Sequence, residues 1–176
     1  MLKKIVAIGP ESTGKSTLCK QLAAHYQCSW VPEYARAYLE ENGTDYTYDD
    51  LIIIATKQLS IEDQMTSEAV ARNDQYLFID TDMYVMKVWS EFVFNKCDNR
   101  ILTQVAKRHY DLYLLCDVDL PWQQDALREY PDIEKRKVLF EYYRDAMINQ
   151  PVPWTIIQGT DEQRLANAVK SIRKLF

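Results

Sequence analysis

Short apolar runs alternate along this chain with longer stretches in which apolar residues return every three or four positions. The short runs predict buried strands, which we place at residues 5–8, 29–32, 77–80, 112–116 and 154–158. The periodic stretches predict helices at residues 16–26, 33–41, 48–72, 83–94, 100–108 and 160–175. Short strands that alternate with helices are typical of α/β proteins, so we predict a five-stranded parallel sheet with helices on both faces.

One segment breaks this alternation. Residues 121–150, between the fourth and fifth predicted strands, are polar and charged, and their pattern is mostly helical with a break at Pro131. We predict that this segment is a helical lid insertion before the last strand. It would belong to a single domain spanning residues 1–176.

Composition narrows the classes of partner. The chain has a formal net charge of −5, and its 21 basic residues are scattered, which disfavours nucleic acid and membrane surfaces as partners. No apolar run approaches the length of a membrane span. The four cysteines are far apart and form no metal-binding pattern, so we expect reduced thiols in a cytoplasmic protein.

The strongest motif is GPESTGKS at residues 9–16, which fits the phosphate-binding loop (P-loop) that follows a strand and opens a helix. Its glycines allow a tight turn, and its backbone N–H groups point at the phosphates. We expect Lys15 to reach the β- and γ-phosphates and the Ser16 hydroxyl to ligate Mg²⁺. The motif predicts a P-loop NTPase fold with ATP and Mg²⁺ as cofactors, although GTP stays open as the donor. The residues expected to bind the nucleotide are Gly9, Glu11, Ser12, Thr13, Gly14, Lys15, Ser16 and Thr17.

Acidic residues follow the second and third predicted strands. The carboxyl ends of parallel strands meet at one edge of a sheet, so these acids are expected near the P-loop. Asp80 is placed to hold Mg²⁺, and Glu33 is placed to accept a proton from an attacking hydroxyl. Asp82 either joins them or starts the helix that follows, as Thr81 also could, and Glu33 could instead be a first-turn residue that suits the helix dipole.

Acids also follow the fourth predicted strand. We expect Asp119 to be solvated and leave the role of Asp117 open. Contacts to the adenine base are expected near residues 158–160, where backbone groups would provide them.

The lid insertion is rich in basic residues. Arginines on a closing lid can neutralise the charge that develops on a transferring phosphoryl group, and a lid also excludes water. Arg128 and Arg136 are predicted to play this part. The alternative is a solvated, charged helix face, which would also include Lys135 and Lys137.

The tetrapeptide NKCD at residues 95–98 fits the guanine-reading motif of GTPases. That motif requires a strand before it, whereas the preceding residues have the pattern of a helix end. GTPases also need an Asp-x-x-Gly switch, and neither Gly43 nor Gly159 has an aspartate three residues earlier. We therefore disfavour a GTPase.

Several segments together resemble the ribosylnicotinamide kinase domain of NadR-type proteins, which are P-loop kinases. The matching segments are GPESTGKSTL, VPEYARAYLE, LFIDTDMYVMKVW, YDLYLLCDVDLPWQQDALRE and RKVLFEYYRDAM. They keep their order and span most of the chain. The resemblance implies transfer of the ATP γ-phosphate to the 5′-hydroxyl of nicotinamide riboside (NR), which gives nicotinamide mononucleotide and ADP.

The resemblance also implies roles for individual residues. Tyr34, Arg36 and Asp82 would face the riboside together with Glu33, and Trp122 and Asp125 would lie in or beside the substrate pocket. Lys15, Glu33, Asp80, Arg128 and Arg136 would form the catalytic set, with Glu33 and Asp80 competing for the base and metal roles. Trp122 could instead anchor the insertion, and the candidates for a second aromatic face against the cationic ring are Tyr34, Tyr38 and Trp89.

Three functions are therefore compatible with the sequence. The first is a nicotinamide riboside kinase, and the second is a P-loop kinase for another nucleoside or small acceptor. The third is a regulatory module that binds ATP and hydrolyses it slowly or not at all. The acids and the arginine-bearing insertion favour the two kinases, because nucleotide binding alone would not require them.

Overall fold

The computed structural model of the chain describes residues 1–127 and 129–176, so the predicted lid residue Arg128 lies outside the described residues. The elements are, in chain order, β1 (Lys3–Ile8), α1 (Lys15–Tyr26), β2 (Trp30–Val31), α2 (Tyr34–Asn42), α3 (Tyr48–Ala71), β3 (Tyr76–Asp80), α4 (Met83–Phe94), α5 (Asn99–Lys107), β4 (Leu112–Cys116), α6 (Ile133–Ile148), β5 (Trp154–Ile157) and α7 (Asp161–Leu175).

The strands form one parallel sheet in the order β2-β3-β1-β4-β5. The predicted five-stranded parallel sheet is therefore confirmed. Its central strand is β1, which pairs with β3 on one side and with β4 on the other. The P-loop follows β1 directly, so the carboxyl ends of β3 and β4 lie on either side of it.

Alternate residues of β1 face opposite layers of helices. Ile5 and Ala7 pack with buried residues of α1 and α7, including Leu22 and Ile172. Val6 and Ile8 pack on the other face, in a cluster that contains buried residues of α3, α4 and α6. Burial on both faces explains why residues 5–8 of β1 form an apolar run without interruption. None of the described helices combines the length and the apolarity needed to cross a membrane.

The predicted insertion is only half helical. The described residues from 121 to 132 contain turns and no helix, and α6 begins at Ile133. Pro131 cannot supply a backbone donor, and Asp132 caps α6 by accepting hydrogen bonds from the backbone N–H groups of Glu134 and Lys135. The expectation of helix before Pro131 is therefore wrong.

The helix α6 is part of the core rather than a detached flap. Its residues Leu139, Phe140 and Met147 are buried in the cluster that covers one face of the sheet. Lys135 and Lys137 are exposed, so the solvated-face alternative describes these two lysines. The irregular segment before α6 is what extends over the P-loop, and we call residues 121–132, as far as they are described, the closing segment.

The segment NKCD follows a helix, not a strand. Asn95 ends α4 in the left-handed conformation, with φ of 53°, and Asp98 caps α5. The sequence-based interpretation of this region as a helix end is confirmed.

Gly9 fits where β1 enters the P-loop because it has no side chain. Its φ is +133°, and a Cβ added there would lie 2.7 Å from the backbone oxygen of Cys116 on β4. A backbone oxygen cannot rotate away as a side chain can. The close approach of the loop to β4 therefore requires glycine.

We expect Gly9→Ala to destabilise the protein by about 2 kcal/mol or more, because the new Cβ would push β1 and β4 apart. Gly43→Ala is the matched control, since Gly43 also has a positive φ of +86° but open space around the Cβ position. Urea unfolding of both variants measures the difference. Equal destabilisation by the two substitutions would contradict the steric explanation.

Candidate active site

The P-loop is held by hydrogen bonds to one of its own carbonyl groups. The Lys15 ammonium group donates to the backbone oxygen of Pro10 at 2.9 Å, and the Thr13 hydroxyl donates to the same oxygen at 2.7 Å. Ser12 and Gly14 have positive φ angles of 57° and 77°, which bend the chain around this centre. Lys15 is thereby held inside the loop, where it would meet a bound phosphate.

Asp80 ends β3 directly beside the P-loop strand, because it pairs with Ala7 in the parallel register. Its side chain is 0% exposed, and neither oxygen has a hydrogen-bond partner of good geometry among the described residues. Burial, reinforced by the negative charge of Glu33 and opposed by Lys15, raises the pKa of Asp80 to about 7. A buried carboxylate is costly unless a positive charge or hydrogen-bond donors compensate it, so this position favours the binding of a cation.

Glu33 follows β2 and lies at the wall of the cavity next to the P-loop. The Thr81 hydroxyl donates a hydrogen bond to its carboxylate at 3.2 Å. Glu33 and Asp80, which the sequence analysis placed at one edge of the sheet, are close enough for the charge of Glu33 to affect Asp80. Both acids therefore lie at the phosphate site.

Gln58 was not predicted from the sequence. Its side chain connects the backbone on either side of Glu33 with the backbone of Asp80. It lies on α3, is buried, and its side-chain oxygen accepts a hydrogen bond from the backbone N–H of Tyr34 at 2.8 Å. Its amide nitrogen donates to the backbone oxygens of Pro32 at 3.2 Å and Asp80 at 3.5 Å. The only sequence signal was a polar residue at a position where the helical period expects an apolar one.

Asp82 does not face the cavity. It is 1% exposed and caps α4, accepting hydrogen bonds from the backbone N–H groups of Tyr84 and Val85 at 2.9 and 3.3 Å. The Tyr113 hydroxyl also donates to it, at 2.8 Å. The alternative of a helix cap therefore accounts for Asp82, and the expectation that it contacts substrate is corrected.

Two side chains of the P-loop accept hydrogen bonds from backbone N–H groups of the closing segment. The Glu11 carboxylate accepts hydrogen bonds from the backbone N–H groups of Glu129, at 3.2 Å, and Tyr130. The Ser12 hydroxyl accepts one from the backbone N–H of Gln123 at 3.3 Å. Burial raises the pKa of Glu11, and these N–H groups and Lys15 oppose that rise. Glu11 and Ser12, predicted to bind nucleotide, here connect the loop to the segment above it.

Arg136 also holds the P-loop. It is 1% exposed and donates to the backbone oxygen of Ser12 at 3.0 Å. The ring of Trp122 lies against its guanidinium group, with 5.5 Å between the guanidinium carbon and the ring centroid. Trp122 does not line the cavity beside Glu33, so the alternative in which it anchors the insertion describes this contact.

A cavity of about 210 Å³ joins the P-loop to an aromatic compartment. The P-loop and Glu33 form one side. Val85, Trp89 and Phe92 of α4 recur at helical spacing and form the opposite side, and Trp89 is one of the predicted candidates for an aromatic face. The remaining side chains of this aromatic compartment are Ala35, Arg36, Leu39, Leu127, Glu129, Tyr130, Leu139 and Tyr143.

Two predicted substrate residues pair with each other at the rim. Arg36 donates to the carboxylate of Asp125 at 2.6 Å, which brings α2 and the closing segment together. Tyr34 packs instead in the cluster between α2, α3 and α4, and Tyr38 lies beside it at 6.3 Å between ring centroids. Neither tyrosine lines the cavity, because α2 turns these positions away from it.

The carboxyl ends of β4 and β5 are joined by their own polar network. The Asp117 carboxylate accepts from the Gln158 side chain at 2.6 Å, and buried Arg164 pairs with Asp119. Asp119 also accepts from the backbone N–H of Gly159 at 2.6 Å. The expectation that Asp119 is merely solvated is wrong, since this acid fixes the loop at which adenine contacts were predicted.

Residues 4–164 match the sequence pattern of the family described as AAA domain. The chain belongs to that family. Among the curated proteins, it is 22% identical over 182 residues to the trifunctional NAD biosynthesis/regulator protein NadR of Salmonella typhimurium, and 23% identical over 180 residues to its counterpart in Escherichia coli. Each match covers 99% of this chain but only 43% of the relative, so this AAA domain spans less than half of their length.

Solved structures show the same fold. A NadR protein in complex with NR superposes with a TM-score of 0.79 at 23% identity, and one in complex with NAD and AMP-PNP with 0.76 at 21%. Both matches cover 98% of this chain and 49% of the other. A thymidylate kinase from Ehrlichia chaffeensis superposes with a TM-score of 0.71 at 11% identity, covering 97% of this chain and 98% of its own. The predicted P-loop fold and the resemblance to NadR-type proteins are confirmed.

The residues of this AAA domain fit a magnesium ion. The buried Asp80 carboxylate lacks a partner among the described residues, and the Ser16 hydroxyl lies close enough to lower its pKa. No group of three or more His, Cys, Asp or Glu that could hold a metal is found within the described parts of the chain. Mg²⁺ bound by phosphates and waters needs only one or two protein ligands, so Ser16 and Asp80 would suffice.

We expect metal-free Asp80→Asn to be more stable than the wild type at pH 8, by about 2 kcal/mol. An Asp whose folded pKa is raised to about 7 keeps its proton in the folded state while the unfolded chain loses it, so wild-type stability falls as the pH rises from 4 to 7. Asparagine does not ionise, so the variant avoids this loss of stability. The difference in stability between variant and wild type should vanish near pH 4. Urea unfolding with EDTA at pH 4, 6 and 8 measures it.

Asp63→Asn is the control for this experiment. Arg108 lowers the pKa of Asp63, so its removal should not stabilise the protein at pH 8. If the Asp80→Asn variant were less stable than the wild type at every pH, the inferred cost of the buried charge would be contradicted.

Proposed function

We propose that this AAA domain is a nucleoside kinase that transfers the γ-phosphate of ATP to the 5′-hydroxyl of nicotinamide riboside. The products are nicotinamide mononucleotide and ADP. NadR proteins of similar fold bind NR and the ATP analogue AMP-PNP, which supports both the acceptor and the donor. The role of the longer relatives in NAD biosynthesis supports the same assignment.

The continuity of the cavity carries this proposal. The P-loop, Glu33 and the aromatic side chains of α4 line one space, so a phosphate donor and a ring-bearing acceptor can meet there. A protein that only senses ATP, or hydrolyses it, has no need of an aromatic compartment next to the γ-phosphate. A kinase needs one, because holding both reactants in line supplies much of its rate.

Each residue has a defined task in this reaction. Lys15 would leave Pro10 and bind the β- and γ-phosphate oxygens. Glu33 would accept a hydrogen bond from the acceptor hydroxyl and orient it toward the γ-phosphate. Ser16 and Asp80 would hold Mg²⁺, which neutralises phosphate charge when bound.

The closing segment would exclude water from the transfer. Glu11 and Arg136 both connect this region to the P-loop, and Arg136 does so through the Ser12 carbonyl rather than by pointing freely into the cavity. Arg136 is thus best placed to hold the loop in the shape that binds phosphate. An enclosed site favours transfer to the acceptor over hydrolysis.

A different acceptor is the second candidate. The likeness in fold to a thymidylate kinase over nearly the full length of both chains is the observation that favours it. In that case the P-loop assignments stay the same, and only the roles given to the aromatic compartment change.

We expect nicotinamide mononucleotide to form faster than any other monophosphate when the protein is incubated with MgATP and a panel of nucleosides and nucleotides. Mass analysis of the products measures this. Lys15→Ala should lower the rate by roughly 100-fold or more, and Lys57→Ala, an exposed lysine on α3, should not. Faster phosphorylation of another acceptor would favour the second candidate, and ATP binding without any acceptor-dependent turnover would favour a sensor.

Charge in the aromatic compartment should distinguish acceptors. The Glu129 carboxylate accepts from the Tyr46 hydroxyl at 3.0 Å, and that hydroxyl accepts from the Trp89 ring nitrogen at 2.8 Å. We expect Glu129→Gln to lower kcat/KM for cationic NR about tenfold, mostly through KM, because an attraction to the ring is lost. Uncharged nucleosides should be affected less than about twofold, and equal losses for both would contradict this.

A further inference from the structure

Thr81, between the two acids of the LFIDTD segment, has an unusual backbone. It is 1% exposed and its φ is 75°, in the left-handed region that β-branched residues rarely adopt. Glycine would take this conformation without strain. A threonine there indicates that its side chain is needed, and strained residues of this kind concentrate at functional sites.

The left-handed conformation sends the three consecutive side chains to different partners. Asp80 is buried beside the P-loop, and Asp82 turns to cap α4 and to accept from Tyr113. The Thr81 hydroxyl lies between them and donates to the Glu33 carboxylate at 3.2 Å. This contact joins the end of β3 to the end of β2 across 48 residues of sequence.

The backbone around Glu33 is fixed separately. Gln58 bonds the residue on each side of it, through the Tyr34 N–H and the Pro32 carbonyl. Gln58 therefore determines where Glu33 emerges from the chain but does not touch its carboxylate. Within the described residues, the Thr81 hydroxyl is the side-chain donor that contacts the carboxylate.

We propose that Thr81 is a positioning residue whose hydroxyl holds the Glu33 carboxylate in the orientation that receives the acceptor hydroxyl. This inference rests on the proposed kinase function. In the step concerned, the acceptor oxygen forms a bond to the γ-phosphorus while its proton passes to Glu33. The bond from that phosphorus to the β,γ-bridging oxygen breaks, and its electron pair leaves on ADP.

Position matters here because one carboxylate oxygen must face the acceptor. A glutamate side chain rotates freely about its single bonds unless something holds it. Displacing a catalytic group by about 1 Å can lower the rate roughly 100-fold. Thr81 bonds Oε1 of Glu33, and Glu33 lines the cavity beside the P-loop, so in this proposal Oε2 is the oxygen that receives the acceptor hydroxyl. Asp80, one residue before Thr81, would then be left to hold Mg²⁺ beside the phosphates.

The test compares Thr81→Val, Thr81→Ser and Thr81→Gly with the wild type, using the acceptor that gives the fastest turnover. Valine keeps the β-branched shape without the hydroxyl, and serine keeps the hydroxyl. Glycine removes both the hydroxyl and the backbone strain. Thr66→Val is the matched control, because Thr66 lies on α3 and its hydroxyl has no hydrogen-bond partner among the described residues.

We expect kcat to fall roughly 30- to 100-fold in Thr81→Val and Thr81→Gly, while KM for ATP changes less than about twofold. Thr81→Ser should stay within about threefold of the wild type, and Thr66→Val should be unchanged. Thr81→Gly should be at least as stable to heat as the wild type, since glycine relieves the strain. A Thr81→Gly variant that is stable but turns over slowly would show that the hydroxyl acts on the reaction and not on folding. This comparison remains valid if Thr81→Val does not fold.

A double-mutant cycle completes the test. If Thr81 acts through Glu33, Thr81→Val should lower kcat less than about twofold further in a Glu33→Ala background. Additive effects, or a Thr81→Gly variant that keeps the wild-type kcat, would overturn the proposal and leave the kinase function intact. A wild-type protein that phosphorylates no acceptor would instead overturn the proposed function, and the role of Thr81 with it.

Discussion

The parallel pairing of β1 with β3 sets Ala7 opposite Asp80, and the rest of the site depends on this register. It brings a carboxylate next to the P-loop, where Lys15 is the positive charge that most opposes the rise in the pKa of Asp80. Side chains alternate across a sheet, so a shift by one residue would turn Asp80 to the opposite face and put apolar Ile79 in its place. Close packing of β1 on both faces is what prevents such a shift.

Asp80 lowers the stability of the folded protein at neutral pH. Burial, reinforced by the charge of Glu33, raises the pKa of Asp80, and the folded protein loses stability as that acid ionises. A buried carboxylate of this kind favours a cation beside it, because the cation compensates the charge that burial makes costly. Thr81 adds a second cost in its left-handed backbone. Both costs lie within consecutive residues, at the end of the strand next to the P-loop.

The insertion between β4 and β5 combines two different physical roles. Its second half, α6, is a core helix whose apolar face is covered by the sheet. Its first half is irregular and contacts the P-loop through polar groups, including those of Glu11 and Ser12. A segment held by a few hydrogen bonds on a rigid base can open for substrates at much lower cost than a packed helix. The loop that binds phosphate and the segment that covers it are therefore directly linked.

The sequence alone determined the elements and the phosphate chemistry. Apolar runs and helical periods placed all five strands, and the spacing from Gly9 to Ser16 identified the P-loop, because both are local properties of the chain. The acids Glu33 and Asp80 followed from the rule that parallel strands end at one edge.

Tertiary structure decided which side chains share the cavity. Tyr34 and Asp82 turned into the packing of helices, whereas Phe92, Tyr130 and Tyr143 joined the aromatic compartment. Helix rotation and the path of an irregular segment fix these positions, and neither is set by local pattern. The roles of Gln58 and Thr81 emerged for the same reason, since each acts on residues distant in sequence that only the sheet brings together.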